Sequence, residues 1–146
     1  MSDHHPIEGE ERLIAHFGRW PSFHDAEVVR LAIERRPNLG RGDGPTLDLT
    51  IHAFETTREL EPDGCFRLRR HAVVRFRFDG VVDLELRGFN EQNVLFDLSI
   101  ADRPEDAEGC RVEVSLHASY GLWGRFRCRR VEVAEVVPCT AEGEGL

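Results

Sequence analysis

The chain contains no lysine; all 19 of its cationic side chains are arginine. Each cation is therefore a planar fork suited to pairing with carboxylates rather than a compact point charge. Long apolar runs are missing as well. None approaches the roughly 20 residues of a membrane span, and Met1-Ser2-Asp3-His4-His5 begins nothing like a basic-then-apolar secretory signal, so the expected location is the cytoplasm with no membrane partner. The four cysteines, Cys65, Cys110, Cys128 and Cys139, form no Cys-x-x-Cys pair and have no histidine at zinc-ribbon spacing, which argues against structural zinc. Reduced thiols are expected, with Cys128 turned toward the core. Cations are also outnumbered, 19 against 27 Asp and Glu, for a net charge of −8. A general nucleic-acid binder would have to overcome that repulsion, so a basic or mixed-charge protein partner fits better.

What the chain does have is the size and composition of one water-soluble domain: 146 residues, 40% hydrophobic and 32% charged. The expectation is a single domain over 1–146 with its core at about 7–138 and a flexible tail at 140–146. Ile7, Leu13, Ile14 and Phe17 recur at helical spacing behind an acidic first turn of Glu8, Glu10 and Glu11, and Gly18 follows, predicting one short amphipathic helix. From Val28 the pattern becomes β-branched and strand-like, ending at Arg36-Pro37. The run Asn38 to Pro45 is dense in turn formers. Without a placed lysine, and with strand signals on both sides, it reads as a loop rather than a phosphate cradle.

Period-two alternation then dominates. Leu47, Leu49 and Ile51 alternate with Asp48, Thr50 and His52, predicting a strand with one wet face. Val74, Phe76 and Phe78 lead through Asp79-Gly80 to Leu84 and Leu86, which reads as a hairpin setting arginines opposite carboxylates. Val94 to Ile100 and Val112 to Leu116 give two more strands. Phe126 to Val136 gives a last one, with a bulge between Cys128 and Val131 where Arg129-Arg130 shifts the parity. The predicted class is α+β, mainly β: a meandering antiparallel sheet of about seven strands, curled or split into two layers, with one short N-terminal helix.

The densest cluster of chemistry is Trp20-Pro21-Ser22-Phe23-His24-Asp25-Ala26-Glu27. Adjacent His and Asp invite comparison with metal-dependent phosphohydrolases, with Glu27 as a third oxygen donor. At the start of a strand, however, neighbours point to opposite faces, and the further ligands are missing, so no metal site, cofactor or catalytic set is expected. His16, His52, His71 and His117 could converge only through the sheet. The arginine rows at 67, 69, 75 and 77 and at 125, 127 and 129 alternate with Glu85, Glu113 and Glu132, which favours a salt-laced surface over an anion site. Gly88-Phe89-Asn90-Glu91-Gln92-Asn93 is a polar turn that is either a well-formed corner or a recognition loop.

Three pieces together carry a resemblance: the Trp20–Glu27 string; Phe78-Asp79-Gly80-Val81 running through Leu84 and Leu86 to Gly88-Phe89-Asn90, Gln92-Asn93-Val94; and Phe126, Cys128 before Val131-Glu132-Val133. The ensemble resembles the immunity protein 50 family of bacterial polymorphic toxin systems over most of residues 18–138. Membership implies a non-enzymatic antitoxin that binds and neutralises a cognate toxin inside the producing cell. Under that resemblance His24, Asp25, Glu27, Asn90, Gln92 and Asn93 are the candidate partner-binding residues. The alternative is a small β-rich ligand-binding or metal-dependent hydrolytic domain using His24, Asp25 and Glu27. A monomer is expected, with a homodimer through a sheet edge as the other possibility.

Overall fold

The computed structural model describes residues 7–35 and 44–145, so most of the Asn38–Pro45 loop lies outside the described residues. One helix, α1 (Glu10–Phe17), precedes eight strands: β1 (Glu27–Glu34), β2 (Thr46–Leu60), β3 (Phe66–Asp79), β4 (Val82–Arg87), β5 (Val94–Asp102), β6 (Val112–Tyr120), β7 (Trp123–Cys128) and β8 (Arg130–Pro138). All strand pairings are antiparallel, and the strands form one sheet in the order β4-β7-β6-β5-β1-β2-β3-β8. The mainly β reading with one short helix is thus correct. No helix among the described residues is long and apolar enough to cross a membrane.

The order is not a meander, and the reason is a corner. β3 and β4 stand six places apart in the sheet yet are joined only by Gly80 and Val81. Six strand spacings of a flat sheet would be about 29 Å, whereas three peptide links reach at most about 11 Å. The sheet must therefore curl until its two ends meet. Asp79-Gly80 is the corner at which the chain changes layers, not the turn of a β3–β4 hairpin. Gly80 has φ +69°, Val81 is buried, and the Val81 N–H donates to Pro45 O at 2.9 Å. The return path does the same. The segment expected as one bulged strand is two, β7 and β8, separated by Arg129 alone and belonging to opposite ends of the sheet. Arg129 N–H donates to Asp79 O at 2.9 Å, which ties the two corners together.

The result is two four-stranded layers, β1-β2-β3-β8 and β4-β7-β6-β5, over one core. Leu47, Leu49, Ile51, Val74, Phe76 and Phe78 from the first layer and Leu95, Leu116 and Phe126 from the second are fully buried there. The ring of Phe78 meets that of Phe126 edge-on at 5.0 Å across the layers. α1 packs on β8 and β3 through Leu13 and Phe17, and Gly18 ends it with φ +82° and an N–H bond to Ile14 O. All four cysteines are free thiols; Cys128 is fully buried, and burial pushes its pKa up to about 12. At the C-terminus Thr140 N–H donates to Glu144 O at 2.8 Å, and Cys139 bridges to Gly145.

Candidate functional site

The two layers meet at a second place, between β1 and β5, and this seam is narrow: the strands share only the Glu27–Val94 pair. The residues flanking that pair close it. Asp25 N–H donates to Leu95 O, Leu95 N–H to Ala26 O, and Val28 N–H to Asn93 O, at 2.8–2.9 Å. The two segments that stand out in the sequence, Trp20–Glu27 and Gly88–Val94, are therefore neighbours in space.

His24 and Asp25 form a turn ahead of β1, not its first residues. Phe23 and Asp25 both adopt left-handed backbone, at φ 59° and 67°, uncommon for an aspartate and costly for a bulky phenylalanine. Burial holds Phe23 there. It is 2% exposed, with its ring against Phe76 at 5.7 Å and Trp20 at 6.0 Å. The turn puts His24 and Asp25 on the same side, with Nε2 3.6 Å from Oδ1, where strand alternation predicted opposite faces. His24 Nδ1–H donates to Phe96 O at 3.0 Å, which fixes the ring and directs Nε2 at the carboxylate. Both side chains are more than half exposed, and the Phe96 ring beside them is 60% exposed. Glu27 is half-buried and faces β2 opposite His52. His24, Asp25 and Glu27 do not converge on one point as ligands of a single ion would.

Asn90 and Gln92 are exposed, whereas Asn93 is 3% exposed. Its Oδ1 accepts N–H bonds from Asn90 at 2.8 Å and Leu122 at 3.1 Å, and its Nδ2–H donates to Asn90 O at 2.8 Å. Asn93 thus pins the 88–93 loop to the β6–β7 turn. Gly121 allows the approach, because a Cβ there would lie 2.6 Å from Asn93 Oδ1 and against Gln92 O.

Two features escaped sequence reasoning. His52 and His71 do converge: Nε2 of His52 is 3.0 Å from Nδ1 of His71, with Phe54 packed beside both rings. Burial lowers the pKa of each; Glu27 opposes the shift at His52, the neighbouring imidazole reinforces it at His71, and Glu142 opposes it there. Only the register of β2 on β3, including a bulge near residue 54, brings the rings together. The second is Arg127, which pairs with Asp83, Asp106 and Glu108 and has its pKa raised by them. Asp106 Oδ1 also accepts the N–H groups of Cys110 and Glu108 at 2.9 Å, and those backbone bonds lower its pKa. The Asp106, Glu108 and Cys110 ligand atoms lie close enough together for an ion, but the two carboxylates already strap the 103–110 loop to β7 through Arg127, and the Cys110 thiol donates to Gly80 O. The arginine rows are salt-laced as expected, Arg125 with the expected Glu113 but Arg69 with Glu55 and Arg75 with Asp48.

A family model described as Immunity protein 50 matches residues 9–139, nearly the whole described chain. No curated protein and no solved structure matches.

Proposed function

The chain belongs to the immunity protein 50 family, and from that premise we propose that it is a non-enzymatic antitoxin that binds and neutralises a cognate bacterial polymorphic toxin in the cytoplasm. The family match over 9–139 carries this reading. The geometry is compatible with a role by contact. The turn at His24-Asp25 is rigidly held but open to solvent, and exposed Phe96 and Phe89 flank the seam. Exposed aromatics around a fixed polar centre are the composition of a protein-binding patch. The contact set we assign is His24, Asp25, Glu27, Asn90 and Gln92, with Asn93 holding the loop that presents the last two. A net charge of −8 would speed encounter with a basic toxin, most strongly at low salt. We take the working form to be a monomer, one copy per toxin.

The test is co-expression with the product of the adjacent toxin gene. The expected outcome is a stoichiometric complex and rescue of growth, both weakened by the double change His24→Ala, Asp25→Ala. No complex, together with turnover of a phosphoester panel that His24→Ala abolishes, would favour the hydrolytic alternative instead.

A further inference from the structure

β1 stops pairing with β2 at Glu27, opposite His52. β2 continues past that point, and its 53–57 stretch has a neighbour on one side only, β3. Among the described residues no backbone–backbone hydrogen bond reaches 53–57 from the vacated side. The two end strands of the sheet are guarded. β4 is short and irregular, with Asp83 at φ 53°, and β8 is covered where Glu8 N–H donates to Val131 O and Val133 N–H to Glu8 O. Beside 53–57 there is instead a groove of about 460 Å³, walled by Phe17, Trp20 and Phe54 together with the polar Arg19, Glu55 and Thr56. An unpaired strand edge next to a groove with aromatic walls is the arrangement that takes up an extended peptide: the backbone pairs with the edge, and alternate side chains enter the groove.

We propose that the 53–57 edge of β2 and the Trp20–Phe54 groove receive an extended segment of the toxin, added where β1 leaves off, with an apolar side chain seated in the groove. This rests on the antitoxin reading and extends it, since the surface is continuous with the His24–Glu27 turn through Trp20-Pro21-Ser22. The charge balance selects the occupant. A second copy of this chain would bring −8 against −8, whereas a cationic partner is drawn in.

Hydrogen exchange of the chain, alone and in complex with the product of the adjacent toxin gene, reads the edge directly. Amides in 53–57 are expected to slow in the complex. Thr56→Trp, which fills the groove from an exposed position, is expected to raise Kd by about tenfold or more without lowering the melting temperature. A complex that leaves exchange in 53–57 unchanged and tolerates Thr56→Trp would overturn this inference while leaving the antitoxin reading intact. Failure of the unaltered chain to bind the toxin at all would remove both. Sedimentation of the free chain as a dimer that Thr56→Trp dissolves would give the edge to a second copy and overturn the assignment to the toxin.

Discussion

The β2–β3 ribbon is core at one end and bare at the other. At 47–51 and 72–78 the inward residues are fully buried beneath the second layer, whereas at the far end Leu60, Phe66 and Leu68 are 66%, 55% and 40% exposed. The strands, the pairing partner and the alternation of residues are alike. The difference is whether another layer lies on top. A two-stranded ribbon with neither face covered is marginal in water, so the distal half owes its order to the proximal half.

The strongest challenge to this contrast is Phe76→Ala, which removes a fully buried ring that Phe23, Trp20 and Phe78 all contact. Urea denaturation should show a loss of about 3–5 kcal/mol; a loss below about 1 kcal/mol would mean that the proximal half is not the core. A smaller effect is expected at the border between the halves, where His52 and His71 meet. Their folded pKa values lie below 6.5, so just below that value the unfolded chain binds more protons than the folded one. The stability held by the neutral pair is complete above about pH 6.5 and is lost as pH falls through the folded values. Thermal melts should drop between about pH 7 and about pH 5, and His71→Gln should flatten that drop; an identical slope in the variant would show that the pair does not titrate in this window. Smallest of all is Phe66→Ala at the bare end. Its cost should stay within about 0.5 kcal/mol, and a larger one would reveal a covering contact for the distal half.

The same contrast marks how far the sequence could be read. Alternation in Leu47–Ile51, Val74–Phe78 and Val112–Leu116 named strands correctly, because a pleated face repeats every two residues wherever it is buried. It could not say how far the second layer extends, so Phe66 and Phe76 look equivalent in the chain. Asp79-Gly80 carries a local turn signal, yet whether the next strand folds back or crosses to another layer is decided by what β4 finds to pair with, which is β7. The parity change at Arg129-Arg130 was visible, and its meaning, a change of layer, was not. At the seam, Trp20–Glu27 and Asn90–Asn93 were legible as unusual segments; their adjacency depends on three backbone hydrogen bonds between residues about 70 positions apart.

The crossing of the chain between layers also orders the life of the molecule in time. The sheet region begun by β1, β2 and β3 lacks its outer strand until β8 is made, and the layer that buries Phe76 is still unbuilt when residue 79 leaves the ribosome. Neither half can serve as a finished template for the other, so assembly waits on distant pairings and belongs with slow, topologically complex β folds. Under the antitoxin role proposed above, a cell would be shielded only by chains synthesised through about residue 138, which would favour translating this protein ahead of the toxin.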